Sequence, residues 1–161
     1  MSIFKESILV LGGTGFIGRN LVYKLSENKN FQIHAVTHKN PKFDSPNSVN
    51  RVIWHSTNLL DKKCISELFK GLCIDIVLQA AATTSGSKDI INSPYLHVTD
   101  NAIMNSLLLR QAMESKVKHF IFFSCTVMYK SSSQPIKEEY WNANEDVYSK
   151  YFGVAHTKIY I

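Results

Sequence analysis

The stretch LVLGGTGFIGRN (Leu9–Asn20) places Gly12, Gly13, Gly15 and Gly18 within seven positions, directly after an apolar run. The spacing reads either as Gly13-x-Gly15-x-x-Gly18 or as Gly12-x-x-Gly15-x-x-Gly18. In both, the first glycine permits a tight turn and the middle one lets backbone N–H groups approach a pyrophosphate. Gly18 then allows a helix to pack closely on a strand. Upstream, SILVL (Ser7–Leu11) has the character of a buried strand, and downstream a helix is expected from about Ile17 to Glu27. The N-terminus of such a helix carries partial positive charge, which suits an anion. A lone glycine pattern also fits a plain structural turn. The strand–turn–helix context favours a dinucleotide site at Gly12, Gly13, Thr14, Gly15, Phe16, Ile17 and Gly18.

The rest of the chain alternates short β-rich runs with helical segments. FQIHAVT (Phe31–Thr37) reads as a second strand, followed by the polar loop HKNPKFDSPNS (His38–Ser48). RVIWHST (Arg51–Thr57) is a third strand, and Asp61 is the expected N-cap of the helix KKCISELFK, which Gly71 ends. IDIVLQAAA (Ile74–Ala82) is a fourth strand, a long helix spans about Pro94–Ser115, and HFIFFS (His119–Ser124) is a fifth strand. VYSKYFGVAHTKIYI (Val147–Ile161) starts a further helix. Alternation of this kind implies right-handed crossovers and a parallel sheet covered on both faces. The expected fold is α/β, a Rossmann-type doubly wound parallel sheet, incomplete at its C-terminus, with residues 1–161 as a single dinucleotide-binding domain. Its crevice should open between the ends of the first and fourth strands.

Composition narrows the classes of function. The chain has 161 residues, 45% apolar and 19% charged, as in an ordinary globular domain. No apolar run approaches the roughly 20 residues needed to span a bilayer, and the start MSIFKES lacks a secretory signal. A cytoplasmic location and no membrane partner are therefore expected. Cys64, Cys73 and Cys125 are odd in number and form no Cys-x-x-Cys pair, which suits reduced thiols. The six histidines show no metal-ligand spacing. The net charge of +5 is spread along the chain without a nucleic-acid-binding motif, so a solvated basic surface or a pocket for a phosphorylated small molecule is preferred over nucleic acid.

The end of the second strand bears on the cofactor. A carboxylate there would bind a ribose 2′-hydroxyl and favour NAD. THKN (Thr37–Asn40) offers none; His38 and Lys39, with Arg19, can meet a 2′-phosphate, which points to NADP. Solvated loop charges are the plainer alternative.

With these motifs in view, the sequence resembles the extended short-chain dehydrogenase/reductase family, the NAD(P)-dependent sugar-nucleotide epimerases, dehydratases and reductases. The resemblance runs over essentially the whole chain, against about the N-terminal half of a usual member. GGTGFIG resembles the family's glycine loop, with Leu11 where a threonine is common. TNLLD resembles the family's Asp-Leu adenine contact, with Asn58 in place of the acid and Leu59 kept. An Asn58 amide oxygen can still accept from an adenine amino group. LQAAA, with Ala80, Ala81 and Ala82, resembles the segment beside the cofactor ribose and nicotinamide; helix-start alanines are the alternative. NAIMNSLLLRQA resembles the family's Asn-containing helix, with Asn101 at the asparagine, and VKHFIFFSCTVMY resembles its fifth strand.

The family's chemistry uses a tyrosine as acid/base, a lysine one helical turn later and a Ser or Thr hydroxyl on the substrate oxygen. Here the usual serine position is Cys125, a poor donor whose plainest role is a small buried strand residue, so Thr126 or Ser124 would substitute. Counting from the fifth strand points to Tyr151, but four residues on stands Ala155; Tyr148 likewise meets Phe152. Lys158 lies seven residues past Tyr151, on the same helical face. The alternative alignment keeps Lys158 and puts Val154 in the tyrosine's place. The catalytic set implied is Tyr151, Lys158 and Thr126, with Tyr151 as a core aromatic the competing reading.

Two functions remain open. One is an enzyme transferring hydride on a nucleoside-diphosphate sugar, inactive as this chain alone because the substrate half of a family member is missing. The other is a dinucleotide-binding module without a complete catalytic set. The apolar stripe Ile103, Met104, Leu107 and Leu108 is compatible with a homodimer, and equally with burial against the sheet.

Overall fold

The computed structural model describes residues 5–38, 52–84 and 87–161. Among these residues are five strands, β1 (Glu6–Leu11), β2 (Phe31–Thr37), β3 (Val52–Ser56), β4 (Ile76–Gln79) and β5 (His119–Phe122), and five α-helices, α1 (Phe16–Ser26), α2 (Lys62–Phe69), α3 (Ser87–Asn92), α4 (Pro94–Glu114) and α5 (Phe152–Tyr160). All strands are parallel, in the order β3-β2-β1-β4-β5. The order reverses between β1 and β4, as the doubly wound expectation requires.

The chain divides into two compact units. The first holds residues up to Ala82 together with Ser106–Phe123; the second holds Thr83–Asn105 and Ser124–Ile161. In the first unit, β1 is the hub. Leu9, Val10 and Leu11 are fully buried, because both faces of a central parallel strand are covered. One face gathers Ile8, Val10, Val22, Ile33, Ala35 and Leu78, with Trp54, Leu21 and Leu25 half-buried around them. The alternate residues Leu9, Leu11, Val36 and Val77 are buried as well. At the N-terminal end of the sheet Asp75 accepts from the Ser7 N–H at 2.8 Å and pairs with Lys118 Nζ at 2.7 Å. Its carboxyl is held below the usual range by Lys118 first and by Ser7 second.

Local signals place several boundaries. The Asp61 side chain accepts from the Cys64 N–H at 2.9 Å, capping α2, and Gly71 at φ 80° turns the chain after it. β4 stops at Gln79, short of the expected Ala82, because the Gln79 side chain itself takes the Ala81 N–H at 3.0 Å. The six-residue α3 was not expected. The stripe on α4 divides: Met104 and Leu108 are buried, while Ile103 is exposed. Arg51 and most of the polar loop before it, from Lys39 onward, lie outside the described residues.

The second unit is built from α3, the first half of α4, short 3-10 turns at Thr126–Met128, Glu138–Tyr140 and Ser149–Tyr151, and α5. α5 packs on the turn at Thr126–Met128, and Ala155 and Thr157 face inward. A Cβ at Gly153 would stand 2.8 Å from Val98 Cγ2, so α5 approaches α4 closely. No helix among the described residues is long and apolar enough to cross a membrane.

Candidate functional site

The glycine loop forms a turn between β1 and α1. Gly12 has φ 73°, a left-handed conformation, and the Gly15 N–H donates back to the Gly12 carbonyl at 2.9 Å. A Cβ at Gly12 would lie 2.7 Å from the Ala81 Cα, and one at Gly18 would lie 2.1 Å from the Gly12 oxygen. At Gly13 it would meet the Ala35 Cβ at 3.0 Å and Trp54 Cζ3 at 3.1 Å. The protein's own packing therefore requires three of these glycines. Gly15 differs: among the described residues its Cβ would meet only the Gly12 oxygen, at 3.3 Å.

Gly15 is also the N-cap of α1, in an extended conformation and without a side-chain cap. The first N–H groups of a helix have no intrahelical partner. An uncapped, solvent-facing helix N-terminus with a bare backbone at Gly15 is a cradle that a side chain would fill, and it fits a pyrophosphate. Phe16 and Ile17 are exposed beside it, and the Arg19 guanidinium lies 5.5 Å from the Phe16 ring centre.

At the end of β2, Thr37 is buried and its hydroxyl is 3.4 Å from that of Thr14; His38 is exposed. Lys39 lies outside the described residues. Asn58 is exposed, but its amide oxygen already accepts from the Leu60 N–H at 3.0 Å, so an adenine contact would share that atom. Leu59 is buried. Ala80 donates to the Leu11 carbonyl at 3.1 Å and Ala81 abuts Gly12, which explains why small residues follow β4. Ala82 is exposed.

In the second unit, the Asn101 amide is committed to the chain beyond β4. Its Oδ1 accepts from the Thr83 N–H at 3.0 Å, and its Nδ2 donates to the Thr83 carbonyl at 2.9 Å and the His97 carbonyl at 2.6 Å. This residue, expected beside the cofactor, is thus a clamp on the Thr83 peptide.

Thr126 and Tyr151 share a cavity of about 780 Å³, whose lining also includes Ser124, Cys125, Tyr129 and Tyr148. Both hydroxyls are exposed, and that of Ser124 donates to Met128 Sδ at 2.8 Å. β5 ends before Cys125, so this half-buried thiol belongs to the cavity rather than to a strand. Tyr151 is the N-cap residue of α5, stacked at a tilt 5.8 Å from Tyr148. Because α5 begins at Phe152, Tyr151 precedes the helix, whereas Val154 and Lys158 are one turn apart on it. Lys158 is half-buried; burial lowers its pKa, and Cys125 acts in the opposite direction. The sequence carried no signal for Trp54 under Gly13, since that contact joins residues distant in sequence.

A parallel sheet with this order and a glycine loop at its switch point defines a dinucleotide-binding α/β fold. The chain matches the model of the NAD dependent epimerase/dehydratase family over residues 8–160, and it belongs to that family. It is 31% identical over 140 residues to the dTDP-D-glucose 4,6-dehydratase of Dictyostelium discoideum, a match covering 80% of this chain and 31% of that protein. Among solved structures it is similar to the UDP-glucose 4-epimerase of Thermotoga maritima with UDP-glucose, at 26% identity and a TM-score of 0.73, covering 96% of this chain and 49% of that one. The GDP-mannoheptose C4 reductase of Campylobacter jejuni with NADP bound shares the fold, at 18% identity and a TM-score of 0.75, covering 99% of this chain and 45% of that one. The chain thus spans less than half the length of each.

Proposed function

We propose that the protein is an NAD(P)-dependent epimerase, dehydratase or reductase acting on a nucleoside-diphosphate sugar, with residues 1–161 as its dinucleotide-binding part. The observation that carries this is Gly15: a bare, uncapped helix N-terminus whose glycine the fold itself does not need. Nicotinamide, when bound, supplies acceptance and return of a hydride. The residues at Gly12–Gly18 bind the pyrophosphate, Ala80–Ala82 line its path, and Asn58 and Leu59 flank the adenine. NADP is the preferred form, since THKN (Thr37–Asn40) at the end of β2 carries His38 and Lys39 and no carboxylate. Tyr151 moves the proton at the sugar hydroxyl, Thr126 donates a hydrogen bond to the sugar oxygen, and Lys158 supplies positive charge.

A second reading is favoured by one observation: Val154, not a tyrosine, stands one turn before Lys158 on α5. On that reading the chain binds a dinucleotide without completing a catalytic set. Titration with NADPH and NADH, followed by turnover assays of the longest natural form on a panel of nucleotide sugars, separates the two. The enzyme reading expects turnover that Tyr151→Phe reduces at least about a hundredfold. Tight cofactor binding with no turnover on any sugar establishes the second reading, and a clear preference for NADH overturns the choice of NADP.

A further inference from the structure

We propose that Trp54 is a positioning residue for the glycine loop, and that the His34–His55 hydrogen bond fastening β3 to β2 makes this hold fail on acidification. The inference rests on the dinucleotide reading of the loop. β3 is an edge strand of five residues whose strand partner is β2, and it is only half-buried. Its Trp54 lies beneath Gly13, and the Gly13 N–H donates to the Val36 carbonyl of β2 at 2.8 Å. The loop is thus seated on β2 and β3 together.

On the opposite face of the same strands, His34 Nδ1 and His55 Nε2 are 2.9 Å apart, with ring centres at 5.2 Å and planes at 24°. One proton must serve the two facing nitrogens, one imidazole donating and the other accepting. When both rings are imidazolium, two N–H groups and two like charges face each other instead. Among the described residues no acid offsets this. The residue of β1 opposite His34 is Leu9, and that of β3 is Ile53. The buried residues of α2 are Ile65, Leu68 and Phe69, while its charged residues Lys62, Lys63 and Glu67 are exposed. On α4, Arg110 and Glu114 are exposed. Burial first, and for His34 also the charge of His55, hold both rings below their ordinary value.

The chain has two tryptophans, so Trp141→Phe leaves Trp54 as the sole reporter. In that variant without ligand, Trp54 emission is expected to shift reversibly to the red between pH 7.5 and 4.5. The shift should persist with His38→Asn and vanish with His34→Asn/His55→Gln, whose amides bond without titrating. The dissociation constant of ADP-ribose, whose pyrophosphate stays ionised over this range, is expected to rise about tenfold in wild type over the same interval. It should stay within about twofold in the double variant. Unchanged Trp54 emission in the chain with both histidines overturns the proposal even if the double variant does not fold. A shift of equal size in a folded double variant overturns it too. ADP-ribose that binds equally at both pH values defeats the latch alone; ADP-ribose that binds at neither defeats the dinucleotide reading and the positioning role with it.

Discussion

A methyl group at Gly18 would lie 2.1 Å from the Gly12 carbonyl oxygen, whereas one at Gly15 would meet that atom at 3.3 Å. The two substitutions should therefore separate folding from binding. Gly18→Ala is expected to destabilise by about 3 kcal/mol or more, since backbone must move. Gly15→Ala should leave stability within about 1 kcal/mol of wild type. Dinucleotide affinity should nevertheless fall about tenfold in Gly15→Ala, because the methyl occupies the pyrophosphate's approach. Urea denaturation and equilibrium titration of the two variants measure both effects. At this scale the glycines were readable from spacing alone, and so was the Asp61 cap, because both depend on neighbours in sequence. The commitment of Asn101 to Thr83 was not readable: eighteen positions separate them, and the amide's partners are main-chain atoms of a loop.

Among the elements, β1, β2 and α1 were legible because each carries its own periodicity and punctuation. The six-residue α3 is too short for a helical period to show. The start of α5 was undecidable from sequence, since the choice between Tyr151 and Val154 depends on where the helix begins, and the turn at Ser149–Tyr151 sets that. The pairing of β2 with β3 carries a pH dependence whose sign is fixed. Burial keeps His34 and His55 neutral in the fold, below the ordinary 6.5, so the unfolded chain binds protons that the native one does not. Stability is then complete above about pH 6.5 and lost as pH falls below it. The midpoint of urea denaturation should drop between pH 7 and 5, and should drop less in His34→Asn/His55→Gln.

For the whole molecule, burial is unevenly shared. The centre of β1 is inaccessible to solvent, while every residue from Lys130 to Asp146 is exposed. Amides of Ile8–Leu11 should thus exchange only through global unfolding, and among the described residues limited trypsin should cut first at Lys130 or Lys137. A first cut within α1 or α2 would contradict this. The doubly wound order itself was foreseeable from alternation and crossover handedness. The cavity around Tyr151 was not, because it is built from turns that carry no periodic pattern.

The contact between Gly12 and Ala81 has a consequence in time as well as space. β1 and β2 are near neighbours in sequence, but β1 meets β4 only by closing a long loop; Ser7 and Asp75, which bridge them, are 68 positions apart. Such a closure carries a larger entropic cost than pairing adjacent strands, and it comes later. The close approach of Ala81 to Gly12 forms only with that closure. The most local motif in the sequence is therefore completed by one of the last encounters the chain makes as it folds.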